Sequence, residues 1–298
     1  MALPEEIRAA CARVAAAARH VRIDDAAVEA YAATLTPVAA EPAEQPHADP
    51  ERGAAHLLQL DAVNFGSGWF PTLRKPPGLS GFRTVERGLL AHGPWSAAEL
   101  REVDAAACAA VFEQAPEHPL MALFAASLAE LGEHVEAASG GSFLALARSG
   151  DGSAVALAER LAALPAWHDV STYDGAPVPL FKRAQLTAAD LHRHGLAPAG
   201  DLGALTLMAD NLVPHVLRLD GLLAFEPALV ARIDREELLE HGSPEEVEIR
   251  ACAVHAVELL VAAHGATTAA AVDDLLWRRG AAPRYKAHPR HRARTTAY

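Results

Sequence analysis

The sequence predicts a mainly α-helical protein with room for a small β-sheet. Three observations carry that expectation: alanine-rich segments in which apolar residues recur every three to four positions, one strong helix-start signature, and few of the alternating runs that strands need. With 298 residues the chain can bury one large core or two modest ones, and a single compact domain over 1–298 is expected.

From the N-terminus, the first break is 39–52, where Pro42, Pro46 and Pro50 stand among acids; it reads as a loop or linker inside the domain. The segments 56–65 and 176–181 are short and flanked by breakers, so each can be a strand or irregular. Between them 71–81 is rich in Pro and Gly. Leu100, Val103, Ala107 and Val111 form one helical stripe, and Leu120, Phe124, Leu128 and Leu131 the next. A helix is expected over 205–217, kinked by Pro214, which has no N–H for the carbonyl of Asp210. The clearest signal is Ser243-Pro244-Glu245-Glu246: a capping serine, a first-turn proline and a glutamate that can reach back. It predicts a helix over about 244–263.

Composition excludes several classes. A formal net charge of −12, from 38 acids against 26 lysines and arginines, opposes direct nucleic-acid binding, which relies on cations displacing counterions. Three scattered cysteines suggest neither a disulfide framework nor a zinc knuckle, and fit a reducing compartment. No stretch is long and apolar enough for a membrane span, and the opening residues are acidic where a secretory signal is basic. The expectation is a cytoplasmic protein with no membrane association; oligomeric state is not readable. Dinucleotide, P-loop, zincin and α/β-hydrolase motifs are all missing. His192 and His194 point to different sides of a helix, so no metal and no cofactor are expected.

Two carboxylates stand in awkward places. On a 205–217 helix, Asp210 would share its stripe with Leu207, Val213, Pro214 and Leu217, on a face otherwise buried. It is either an ion-paired or capping acid, or a functional one. Asp190 lies seven residues after Arg183, on one helix face two turns apart, which describes either a solvated surface or a site.

The chain resembles the queuosine salvage protein family, described as queuosine 5'-phosphate N-glycosylases. The resemblance runs, in order, through Asp61-Ala62-Val63-Asn64-Phe65 with Gly66-Ser67-Gly68-Trp69, Gly140-Gly141-Ser142-Phe143, and Phe181-Lys182-Arg183-Ala184-Gln185 with Asp190. It continues through Ala209-Asp210 with Val213-Pro214, Glu246-Val247-Glu248-Ile249-Arg250, Leu276-Trp277, and His291-Arg292-Ala293-Arg294 to Tyr298. It implies a fold similar to helical DNA glycosylases without their basic DNA-binding face. The implied activity is release of the 7-deazaguanine base queuine from queuosine 5'-monophosphate, a small nucleotide substrate, so that queuine can be reinserted into transfer RNA. A non-catalytic binder of such a base is the alternative.

Cleavage of an N-glycoside passes through an oxocarbenium-like ribosyl cation, so the site needs a carboxylate to offset positive charge and to orient or deprotonate water. Asp210 is the first candidate and Asp190 its partner, with their individual roles left open. Lys182, Arg183, His291, Arg292 and Arg294 are candidates for the phosphate. Residues 278–294 hold seven of the chain's lysines and arginines, which is either a frayed basic end or an anion site. Phe65, Trp69 and Phe143 are candidate stacking surfaces or core rings, Asn64 can meet a heterocycle edge, and Ser142 belongs to the same matched block.

Overall fold

A computed structural model describes residues 1–36 and 43–298. Among them are fifteen α-helices and four short strands, so the mainly α class holds. The first helices and strand are α1 (Leu3–Ala17), β1 (Val21–Ile23), α2 (Asp25–Ala32), α3 (Pro50–Ala62), α4 (Gly81–His92), α5 (Ala97–Leu100), α6 (Ala105–Val111), α7 (Pro119–Ser139), α8 (Phe143–Ala147) and α9 (Ala154–Ala162). There follow β2 (Val170–Tyr173), β3 (Ala176–Pro179), α10 (Lys182–Arg193), α11 (Val213–Leu219), β4 (Leu223–Phe225), α12 (Pro227–Asp234), α13 (Pro244–His264), α14 (Ala269–Arg279) and α15 (Pro283–Lys286).

The described residues of Met1–Glu41, with Asp169–Gln185 and Asp201–Arg294, form one compact unit; the rest form a second. In the first, α13 is the hub: α1, α2, β1, β2, α11 and α14 all pack on it. It is buried all round from Glu246 to Val254, as expected of a helix at the centre of a core. Its buried charges are each engaged. Glu248 accepts the N–H groups of Arg19, His20 and Val21 at 3.0, 2.6 and 3.0 Å and the Tyr173 hydroxyl at 2.7 Å. Strand β1 pairs with β4, and β2 with β3, both antiparallel. The β2–β3 hairpin turns on Asp174-Gly175, both at positive φ (47° and 79°), the twist that a two-residue turn requires.

In the second unit α7 is the long central helix, meeting α3, α5, α6 and α8. Phe124 on α7 holds Phe65 and Phe112 edge-on, at centroid separations of 5.1 and 5.5 Å. The C-terminal Tyr298 is buried, and its carbonyl accepts the Gly66 N–H at 3.0 Å.

Several local expectations change. The segment 56–65 is mostly helix: Asp49 caps α3 by accepting the Glu51 N–H at 3.1 Å and Pro50 takes the first turn. Every residue from Gly53 to Ala62 is buried, so no one-sided stripe betrayed the helix. The expected loop at 39–52 therefore ends at Asp49, and its residues 39–42 lie outside those described. The 100–111 stripe belongs to two short helices, because Asp104 accepts the Ala107 N–H at 2.8 Å and starts α6 afresh. The helix expected over 205–217 begins only at Val213, with Pro214 in the first turn, where a missing N–H is no loss and no kink results. By contrast 119–139, 176–179 and 244–264 follow the reading. Ser243 accepts the Glu246 N–H at 3.4 Å, but the Glu246 carboxylate takes the N–H of Gly242, not of Ser243.

Candidate active site

Freed from a helix, Asp210 stands in the loop before α11, half-buried, and its Oδ1 accepts the Leu212 N–H at 2.6 Å. One titratable group that feels its charge is Asp273, which the sequence reading missed. Burial pushes the Asp273 carboxyl up to about 8, and the negative charge of Asp210 adds to the rise. The Lys182 ammonium and the Met208 backbone amide oppose it. Asp273 is half-buried in the folded chain.

Local sequence explains the oversight. Asp273-Asp274 in an amphipathic helix reads as a solvated acid pair, and Asp274 behaves so, pairing with Arg278 one turn on at 2.9 Å. Asp273 shares its side with the buried Ala269 and Leu276, at i−4 and i+3. That placement was the available signal.

Lys182 is buried at the start of α10. Its N–H donates to Asp169 Oδ2 at 3.0 Å, and the preceding Phe181 takes φ 46°, rare for a bulky residue and the kind of strain that collects at functional sites. Asp169 in turn receives both terminal nitrogens of Arg250, and Arg250 Nε donates to the carbonyl of Ala209 at 2.9 Å. Gln185 accepts the Thr206 N–H at 2.9 Å and so fixes the start of the loop that carries Asp210. Arg183 is buried in the same first turn of α10.

The basic tail is ordered. The Arg292 carbonyl accepts the Leu239 N–H at 2.9 Å, and the His291 carbonyl accepts from the Asn211 side chain at 3.2 Å. Burial pushes the His291 imidazole down to about 4, against the opposing pull of Glu246 and Asp210. Arg290, passed over in favour of its neighbours, is the tail arginine whose charge bears on Asp210. Arg292 instead pairs with Glu236 at 2.6 Å, and Arg294 is exposed. Within this unit the fold thus gathers Asp210, Asp273, Lys182, Arg290 and His291.

The other predicted residues belong to the second unit. Asp190 faces Arg193 at 3.5 Å. The Asn64 amide reaches Asp61 at 3.4 Å. Phe65 and Phe143, 1% and 2% exposed, have the surroundings of core rings, whereas Trp69 is half-buried. Ser142 caps α8, donates its hydroxyl to Glu51 at 2.8 Å, and stands beside the Phe143 and Leu144 N–H groups that the same glutamate accepts. Two surface hollows of this unit, of about 350 and 450 Å³, are lined by residues such as Arg148 and Ser153, and His92 and Trp95; none of the predicted residues lines either.

A protonated carboxyl, a neighbouring carboxylate and a buried ammonium together can donate a proton to a departing group and steady a developing cation. Comparison with known proteins gives the family. A family model described as "Queuosine salvage protein" matches residues 83–298. The chain is 35% identical over 271 residues to a protein of Sphaerobacter thermophilus named "Queuosine 5'-phosphate N-glycosylase/hydrolase", covering 82% of this chain and 81% of that protein. Proteins of the same name from Bos taurus and Dictyostelium discoideum are 35% and 34% identical over 126 and 140 residues, spanning 37% and 44% of their own lengths. Asp210, Asp273 and Lys182 all lie inside the matched region, and Asn64, Phe65 and Trp69 precede it. The chain belongs to the queuosine salvage protein family.

Proposed function

We propose that this chain hydrolyses the N-glycosidic bond of queuosine 5'-phosphate, releasing queuine and ribose 5-phosphate. The observation that carries the reading is the Asp210–Asp273 pair, two acids whose surroundings drive their roles apart beside the Lys182 ammonium. Asp273, neutral at physiological pH, gives its proton to the departing base as the bond from C1' to nitrogen breaks. Asp210 offsets the ribosyl cation and takes a proton from the water that adds to C1'. The water's hydroxyl ends on the sugar, the base leaves with the proton from Asp273, and the water's one remaining proton, taken by Asp210, passes to Asp273 and restores the acid pair. In this reading Lys182 and Arg290, whose charges bear on Asp273 and Asp210, take the 5'-phosphate.

The test is incubation of pure protein with queuosine 5'-monophosphate and chromatography of the free base. Asp210→Asn and Asp273→Asn should each lower kcat by about 10²–10⁴-fold, the usual worth of a general acid or base. Tight binding of intact nucleotide without turnover by the wild-type protein would instead identify a binder.

A further inference from the structure

Asp220, at the far end of α11 from Asp210, receives four donors. The Tyr31 hydroxyl reaches Oδ2 at 2.8 Å and Arg279 Nη1 reaches it at 3.2 Å; the Tyr285 hydroxyl reaches Oδ1 at 2.8 Å and Arg284 Nη2 at 2.7 Å. Its side chain is 7% exposed. Arg279 also donates to the Tyr31 hydroxyl at 2.9 Å, and Arg284 to the Leu219 carbonyl at 2.9 Å, so the donors are tied to one another and to the α11 end. One carboxylate thus joins α2, α11, α14 and α15.

The placement of these ties matters more than their number. Asp273 and Arg279 are on the same helix, α14, six residues apart, a rise of about 9 Å. Asp210 and Asp220 bracket α11. The separation of Asp273 from Asp210 depends on what holds these two segments together. Two features do so: the Asp220–Arg279 ion pair, and the seating of Leu212 on Gly280, where an added Cβ would stand 2.7 Å from Leu212 Cδ1.

We infer that Asp220 is a positioning residue: its clamp on Arg279, Tyr31 and α15 fixes α14 against α11 and so sets the separation of Asp273 from Asp210. This rests on the proposed acid role of Asp273. The charges bearing on Asp273 are Asp210 from the loop before α11, Lys182 from the first turn of α10, and Asp274 on its own helix; loosening the clamp changes the first of them.

The experiment follows kcat/KM against pH for wild type, Asp220→Asn, Tyr31→Phe and Asp273→Asn, with thermal unfolding of each. In the wild type, activity falls as pH rises through the Asp273 midpoint. Relaxing Asp273 away from Asp210 lowers that midpoint, so Asp220→Asn should move the alkaline limb to lower pH, by about half a unit or more, and Tyr31→Phe should move it in the same direction by less. Tyr31→Phe removes one hydroxyl and keeps the test alive if Asp220→Asn does not fold. Lowered activity or stability with the alkaline midpoint unmoved in the folded variants would overturn the inference. An alkaline limb that persists in Asp273→Asn would overturn the acid assignment instead, and the two failures are distinct.

Discussion

Arg250 grips Asp169 through both terminal nitrogens, at 2.9 and 2.7 Å, in the closed core of the first unit. The same pair holds backbone on both sides: Asp169 accepts the N–H of Lys182, and Arg250 Nε meets the carbonyl of Ala209, the residue before Asp210. A change of partner there shifts the ammonium and the carboxylate together. Removing one member of so buried a pair leaves an uncompensated charge, and costs about 3–5 kcal/mol. Arg250→Ala should lose that much in urea denaturation. Arg250→Lys keeps the charge but not the fork, and should lose more kcat than stability.

Asp273 makes stability and activity respond to pH together. Its carboxyl titrates at about 8 in the folded protein, against about 4 when unfolded, so the folded state holds the extra proton between those values. Its stabilising contribution is full below about pH 4 and is lost as pH rises through 8. Asp273→Asn should therefore melt above wild type at pH 8 and lose that advantage towards pH 4, while being much less active at both.

His56, His215 and His291 have the opposite sign. Burial pushes each down to about 4, below the ordinary 6.5. Their contribution is present above pH 6.5 and is lost as pH falls through 4, on the order of 1–2 kcal/mol per residue at pH 5. Comparing denaturation midpoints at pH 7 and pH 5 checks this: His215→Gln and His56→Gln should each show a smaller difference than wild type.

Glu51 anchors the start of α8 by accepting the Ser142 hydroxyl and the N–H groups of Phe143 and Leu144. Glu51→Ala leaves those donors without their acceptor and should cost about 1–3 kcal/mol. Urea denaturation measures it, and a loss under 0.5 kcal/mol would show water replacing the carboxylate at about no cost.

The helical class and the Ser243 cap were legible because each is a local pattern. The surroundings of Asp210 were not. Its carboxylate faces a loop, since Pro214 starts a helix where the periodic reading let one continue. Asp273 escaped because an Asp-Asp pair on an amphipathic helix looks solvated unless one knows which side is covered. Arg250 has Glu246 four residues before it at 3.7 Å, yet its tighter bonds go to Asp169, 81 residues earlier, a partner no local spacing reveals. Phe65 and Phe143 looked equally fit for stacking or packing, and only burial separates them from Trp69.

The reach of α13 bears on how the protein is made. Glu248 binds backbone 228 residues upstream at His20, and Arg250 closes on Asp169. On a ribosome, α1, β1 and the β2–β3 hairpin emerge long before the helix that completes their hydrogen bonds. The second unit, drawn chiefly from the described residues of Pro42–His168, waits only for the short terminal segment Thr295–Tyr298, whose last carbonyl accepts the Gly66 N–H. Nascent chains truncated before residue 244 should accordingly protect the middle of the sequence from protease while leaving its first thirty-odd residues open to cleavage.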